Sequence, residues 1–375
     1  MLASPLRRCL LTNKVLPSDM MVRFELTRPS GSAIVAEPAA TAAAVRRNKV
    51  VDRSKQLVLE PSRVLHPRFD PAAAGHTRGK GLWVTCWSDA VQALAKKGSY
   101  KRLHPSATML PPVPVAAQVH SQLARRVVQE IELVAERIKS WPAVASRSGP
   151  VTLRADDDGG VPIRRVSKTE LLQQQQQPAE GFGIGPDSRI LAAIDLSPSE
   201  PGASTDEPIC TFVSVEGEPA AAAAAGGNLS RSERAAPFFP LYRLSAFFRA
   251  VASLPPDTLR SFRPRQPESP SAASSSIPEA MLLAAAREPL EGMFALLARR
   301  AERETKRTPG DGGAGSDDEA ASPAQGRVRD GDGDIVLLVA PKDPRTPDER
   351  QRADVVVPLA VALRRLQLWT GPGWS

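Results

Sequence analysis

Lys80 stands between Gly79 and Gly81, and without a Cβ on either side the backbone lets both the ammonium and neighbouring N–H groups approach an anion closely. Arg78 precedes this Gly-Lys-Gly unit, and Arg7, Arg8, Arg23, Lys96, Lys97, Lys101 and Arg102 belong to the same stretch of roughly a hundred residues. Lys96, Lys97, Lys101 and Arg102 fall around the end of a predicted helix, where cations complement the helix macrodipole. That leaves Arg7, Arg8, Arg23, Arg78 and Lys80 without a structural reason, so a shared phosphate-binding face accounts for the whole set better. Trp83 begins a predicted strand just beyond the glycines, where an indole serves either as core packing or as a platform for a stacked base.

Other patterns that could carry chemistry fail on inspection. Gly181-Phe182-Gly183-Ile184-Gly185 imitates a dinucleotide loop, but it follows glutamines instead of a strand, and Pro186 stands where a helix interior is needed. Asp330, Asp332 and Asp334 imitate the start of a calcium loop, yet Ile335 replaces the required Gly and Pro341 the required Glu. Cys9, Cys86 and Cys210 lie far apart with no CxxC pair, which excludes a disulfide framework or a cysteine-based zinc site. His66, His76, His104 and His120 form no HExxH, and no Ser sits in a G-x-S-x-G elbow, so the sequence offers no catalytic residue, no metal site and no cofactor site. The expectation is a protein that binds, not an enzyme.

The elements that must position the basic residues are short. Pro17 to Phe24 leads into a predicted strand, a second covers Gln56 to Leu59, a third starts at Trp83 and Val84, and a helix runs from about Ser88 to Lys97. Val119, Leu123, Val127, Ile131, Val134 and Ile138 recur every three or four residues and predict one long helix from Ala116 to Trp141. Its apolar stripe packs on a domain or on another protein. Between Ser146 and Ala236 the periodicity dissolves into Asp156-Asp157-Asp158-Gly159-Gly160, five glutamines from Gln173 and six alanines from Ala220, although Ile190 to Leu196 and Ile209 to Val215 have the apolar character of docked strands. Helical pattern returns at Leu241 to Leu254 and at Pro278 to Arg307, where Pro289 is expected to divide the helix. After the Gly- and Asp-rich Gly310 to Gly333, a buried strand at Ile335 to Val339 and a helix near Val357 to Trp369 are expected.

The expected fold class is therefore α+β. Its parts are a basic domain over 1–110 with an Ala-rich insertion, a long amphipathic helix over 111–145, a low-complexity linker over 146–236, helical segments over 237–307, a disordered linker over 308–334 and a strand–helix unit over 335–375. Charge divides the chain along the same lines. Residues 1–103 hold 18 Lys and Arg against 7 Asp and Glu, a net of +11, which leaves −3 for the rest of a chain whose total is +8. Such asymmetry points to a polyanionic partner for the basic part. The 375 residues include 36 Pro, about twice the ordinary usage of about 5%, and only 17 aromatic residues, so much of the length is not expected to pack. The longest aliphatic run, Ile335 to Ala340, is far short of the ~20 residues a membrane helix needs.

The basic third resembles a known family. The series Arg7-x-Cys9, then Pro17-x-Asp19 with Arg23-Phe24, then Gly79-Lys80-Gly81-x-Trp83-Val84 is similar to the bacterial YlxR family, small α/β nucleic-acid-binding proteins associated with translation and transcription genes and with RNase P. The likeness covers roughly residues 5–103, about a quarter of the chain. It implies that Arg7, Arg23, Lys80 and the cations after the last helix face RNA, with Gly79 and Gly81 shaping a turn. Lys80 replaces the family's usual Arg, exchanging a bidentate fork for a point charge, and an insertion lies near Gly31 to Lys55. Some family members carry a second α/β RNA-binding module resembling ribosomal kink-turn-binding proteins, and Glu279 to Trp369 is the stretch expected to hold an expanded version.

A bacterial-type domain padded with Ala, Pro and Gln repeats points to a eukaryotic organellar descendant, most simply mitochondrial, with a cytoplasmic or nuclear location as the alternative. Arg7, Arg8 and Lys14 precede the first acid, Asp19, as in a targeting segment, although cleavage there would remove Arg7. The leading expectation is a non-enzymatic RNA-binding protein in mitochondrial ribosome assembly, ribosome structure or RNA processing, with ribosomal RNA and ribosomal or assembly-factor proteins as partners and no membrane. The rival is a scaffold or regulatory protein whose basic domain docks a protein.

Overall fold

The computed structural model describes residues 4–27, 57–62, 81–145, 162–176, 188–198, 208–214, 238–252, 279–307 and 335–371. Gly31 to Lys55, Arg78 to Lys80, the Asp156, Gly181 and Ala220 tracts and Gly310 to Gly333 lie outside the described residues. The described residues form helices and mixed sheets in an α+β arrangement, divided into two compact units. One unit comprises Met1–Arg125, Leu254–Ser275 and Arg364–Ser375, the other Arg126–Ser253 and Ser276–Leu363.

In the first unit, β1 (Leu6–Arg8) and β2 (Val15–Pro17) form an antiparallel hairpin. At its tip the Asn13 N–H donates to the Cys9 carbonyl at 2.9 Å and Asn13 takes φ 59°, a left-handed conformation that Asn tolerates better than most residues. A four-stranded sheet follows, in the order β5 (Gly81–Thr85), β3 (Met21–Thr27), β4 (Leu57–Pro61), β6 (Ala107–Met109). Strand alternation divides its faces. Val22 and Phe24 on β3 register with Val84 and Leu82 on β5, and Phe24 with Pro61 on β4, so buried residues share one face. Arg23 registers with Trp83, and Glu25 with Gly81 and Glu60, on the other. Helix α1 (Ser88–Lys97) buries Ala90, Val91 and Leu94 on a single stripe and stops at Gly98, whose φ of 60° suits glycine and whose N–H returns to the Leu94 carbonyl at 3.0 Å. A short turn, Ser99–Arg102, then leads to β6.

Helix α2 (Pro112–Ala145) is the long amphipathic helix expected, with Val119, Leu123, Val127, Ile131, Val134 and Ile138 all buried. Its residues to Arg125 belong to the first unit and the rest to the second.

The second unit is built on a five-stranded mixed sheet in the order β7 (Ile163–Val166), β11 (Ile335–Pro341), β8 (Ser188–Asp195), β10 (Phe238–Arg243), β9 (Cys210–Ser214). β11 runs antiparallel to both of its neighbours, and β8 and β10 are parallel. This corrects the expected linker over 146–236, which supplies β7, β8 and β9, and the expected separate unit over 335–375, whose strand pairs with two of them. Glu279 to Trp369, expected to hold a second module, likewise forms no sheet of its own: its strand β11 pairs with β7 and β8. Helix α3 (Lys168–Gln176) takes in most of the glutamine tract, its first turn closed by Ser167 Oγ accepting from the Glu170 N–H at 2.9 Å. The segment expected to be helical from Leu241 splits into β10 and α4 (Leu244–Ala252). Val166, Leu171, Ala193, Val213, Phe239, Leu241, Ile335 and Leu337 form one core cluster.

Two helices carry internal prolines without ending. In α5 (Glu279–Arg307), Pro289 withholds a hydrogen bond from the carbonyl four residues back, that of the exposed Ala285, where water can replace it. In α6 (Pro347–Thr370), Pro358 withholds one from Asp354, and here a protein donor substitutes: Arg137 Nη1 of α2 lies 3.5 Å from the Asp354 carbonyl. α6 opens with a reciprocal cap in which Thr346 Oγ1 accepts from the Glu349 N–H at 3.2 Å and Glu349 Oε2 from the Thr346 N–H at 2.9 Å.

Candidate nucleic-acid interface

The β1–β2 hairpin is fastened to the edge strand β5 by backbone and sulfur. The Leu10 N–H donates to the Trp83 carbonyl at 2.9 Å, and Cys9 Sγ accepts from the Thr85 N–H at 3.3 Å and from Thr85 Oγ1 at 3.1 Å. The Thr12 N–H lies 3.4 Å from the same sulfur. Burial alone raises the Cys9 thiol pKa, but the hydrogen bonds from Thr12 and Thr85 outweigh that effect and leave it below its usual value. Arg7 and Arg8 therefore hang from a hairpin whose position relative to Trp83 is fixed, and both are exposed.

Arg23 is set differently. Its side chain is only 13% exposed, and its Nε lies 3.1 Å from Glu25 Oε1, which also accepts from Ser62 Oγ at 3.0 Å. A Cβ at Gly81 would lie 2.8 Å from Arg23 Nε and 3.0 Å from the Phe24 carbonyl. Gly81 is the first residue of a strand, and its smallness makes room for the Arg23 guanidinium. Arg23, expected to face RNA, is a guanidinium already paired with Glu25 and partly covered. Trp83, registered opposite Arg23, is half-buried. Arg78, Gly79 and Lys80 lie outside the described residues.

Lys96 and Lys97 are exposed in the last turn of α1, and Lys101 and Arg102 are exposed in the turn that follows. Among the described residues from 4 to 111, Arg7, Arg8, Lys14, Lys96, Lys97, Lys101 and Arg102 are exposed cations, and Asp89 is the one exposed acid. Asp19, Glu25 and Glu60 are each partly covered. The described surface of this segment is therefore more one-sided in charge than its composition.

Sequence reasoning missed two contributors. Cys9 was visible as part of a motif, but its use as the acceptor that pins the hairpin depends on Thr85, 76 residues away. Arg365, in the end of α6 that belongs to the first unit, is 4% exposed and donates through Nη2 to the Met21 carbonyl at 2.7 Å, while the Cys86 thiol donates to the Arg365 carbonyl at 3.3 Å. Burial pushes the Cys86 pKa up to about 11 against the opposing pull of the Arg365 charge. No local pattern announces a contact 344 residues apart.

Comparison with protein-family models, with curated proteins and with solved structures finds no match. Among the described residues no helix is long and apolar enough to cross a membrane, and no three His, Cys, Asp or Glu side chains group as metal ligands.

Proposed function

We propose that this protein binds RNA through its basic first unit and acts in an organelle, most simply the mitochondrion, in ribosome assembly, ribosome structure or RNA processing. The observation that carries the binding is the surplus of exposed cations over exposed acids among the described residues between 4 and 111. A polyanion displaces condensed counterions when it meets such a surface, which yields affinity without demanding a catalytic group. The likeness of Arg7-x-Cys9, Pro17 to Phe24 and Gly79 to Val84 to YlxR proteins makes RNA the favoured polyanion. The organellar setting draws on the same likeness in a chain padded with Ala, Pro and Gln repeats.

The test is crosslinking of the tagged protein to RNA in its native cell, with sequencing of the attached RNA and sedimentation of the lysate with and without RNase. Organellar ribosomal RNA in the crosslinks, with RNase-sensitive sedimentation on a subunit-sized particle, is the expected result. An RNase-resistant complex with a defined protein and no crosslinked RNA overturns the proposal and leaves the basic surface as a protein-docking face.

A further inference from the structure

We infer that the RNA taken by the first unit is single-stranded, and that one unpaired base stacks on the Trp83 indole beside the β1–β2 hairpin. This inference rests on the RNA-binding reading and adds the class of strand and the residue that meets a base.

Four observations converge on Trp83. It lies on the mixed-polarity face of the four-stranded sheet, half-buried, so the indole is anchored but retains accessible surface. Next on that face along the same strand comes Gly81, whose missing side chain leaves its place to the Arg23 guanidinium. Across the strand pair, Arg23 is held by Glu25 and fitted over Gly81, a fixed guanidinium at the border of the platform. Finally, the hairpin is bonded to Trp83 itself through the Leu10 N–H. Arg8 is two residues from Leu10, so its Cα lies within about 7 Å of the residue bonded to Trp83.

The hairpin brings more than charge. Leu6 is 63% and Val15 54% exposed, and the register of Arg8 opposite Val15 places all three on one face of the ribbon. Exposed apolar groups beside an arginine suit a nucleobase, which presents an apolar face and a phosphate on the same nucleotide. A paired duplex keeps its bases stacked on one another and offers a side chain no free base face, whereas a single strand exposes them for aromatic stacking. Cations alone bind either form; a half-buried indole bonded to a hairpin that carries exposed apolar residues distinguishes them.

The full chain is titrated, at several salt concentrations, with a labelled single-stranded oligouridylate and with an RNA duplex of the same length. The single strand is expected to bind more tightly. Trp83→Ala is expected to weaken it about tenfold with no change in the salt slope, and Trp83→Phe to keep most of the affinity. Circular dichroism checks that both variants fold. As a readout independent of any variant, an oligonucleotide carrying 4-thiouridine is photocrosslinked to the unaltered protein, and adducts are expected on the peptides bearing Trp83 and the hairpin. Equal binding of duplex and single strand, with Trp83→Ala silent and the adducts elsewhere, overturns this inference while the RNA-binding reading stands. Failure of both RNAs to bind overturns the two together.

Discussion

The two main sheets hide different amounts of themselves. In β11 the consecutive residues Ile335, Val336, Leu337 and Leu338 are all buried, and beside them so are Ala192, Ala193, Ile194 and Asp195 of β8. Successive side chains point to opposite faces, so the central strands of this five-stranded sheet are covered on both sides. In β3, by contrast, Val22 and Phe24 on one face are buried, while on the other face Met21 is buried and Arg23 and Glu25 keep part of their surface. One face of the four-stranded sheet is core; the other is buried at Met21 and Thr85 and carries charge and an indole beyond them. Strands covered on both faces leave no surface for a ligand and serve as scaffold; strands with a partly polar face can act.

The sharpest way to break that contrast is to damage the scaffold alone. Leu337 is fully buried in the core cluster of the second unit, and Leu337→Ala is expected to cost about 2–5 kcal/mol through lost burial and the cavity left behind. Region-resolved hydrogen exchange should show protection falling in β7, β8, β10 and β11, with β3 and β5 retaining theirs. Equal losses in both sheets would mean that the two regions share one cooperative core and that the contrast has no energetic content.

The second expected effect belongs to the first unit and appears with pH. His120 is buried on α2, and burial lowers its pKa from 6.5 to about 4. Because the folded value lies below the unfolded one, the neutral ring's contribution is fully present above pH 6.5, declines as pH falls, and is lost on passing through about 4. Between those limits the unfolded chain binds the extra proton, which amounts to about 3 kcal/mol across the window. Urea titrations at intervals from pH 7 to 4 should show this decline, and His120→Gln should flatten it. An unchanged slope in the variant would place the acid sensitivity elsewhere.

Arg365 comes next in size. Arg365→Met keeps the aliphatic length but removes the donor to the buried Met21 carbonyl, and is expected to cost about 1–3 kcal/mol. Hydrogen exchange should locate the loss at the start of β3. A stability unchanged from the unaltered chain would show that the end of α6 is dispensable to the sheet.

Arg365 also marks where sequence reading stops. Local signals performed well where an element is its own evidence: α1 spans Ser88–Lys97 because its apolar stripe and the following Gly98 both speak locally. The apolar runs of β8 and β9 announced strands for the same reason, although not the partners that β10 and β11 supply. β7 was invisible because Ile163-Arg164-Arg165-Val166 is too short for period two to stand out, and it becomes a strand only through pairing with β11, far along the chain. β10 was read as helix because the three- and four-residue spacing of α4 begins at its end. Within the candidate interface, residue type alone names the cations and Trp83. It does not say whether a cation is free: Arg23 looks like Arg7 in sequence, and only Glu25, Ser62 and Gly81 separate them.

The smallest effect on stability tests that last distinction most directly. Arg7 and Arg8 are exposed, so the double substitution Arg7→Ala, Arg8→Ala is expected to change stability by no more than about 0.5 kcal/mol. Its effect belongs to binding. Each phosphate contact on a single strand contributes about −0.7 to the slope of log affinity against log salt, so losing both cations should make that slope shallower by up to about 1.4. Arg23→Ala should do the reverse. Its guanidinium is already neutralised by Glu25, so the salt slope should scarcely move, while the loss of the ion pair beside Gly81 lowers stability and releases Glu25 as an unpaired acid near Trp83. Measuring both variants by salt-dependent RNA titration and urea denaturation separates a cation that meets phosphate from one that holds the sheet. If Arg23→Ala flattens the slope and Arg7→Ala, Arg8→Ala does not, the polar face itself is the phosphate surface and the hairpin is only its support.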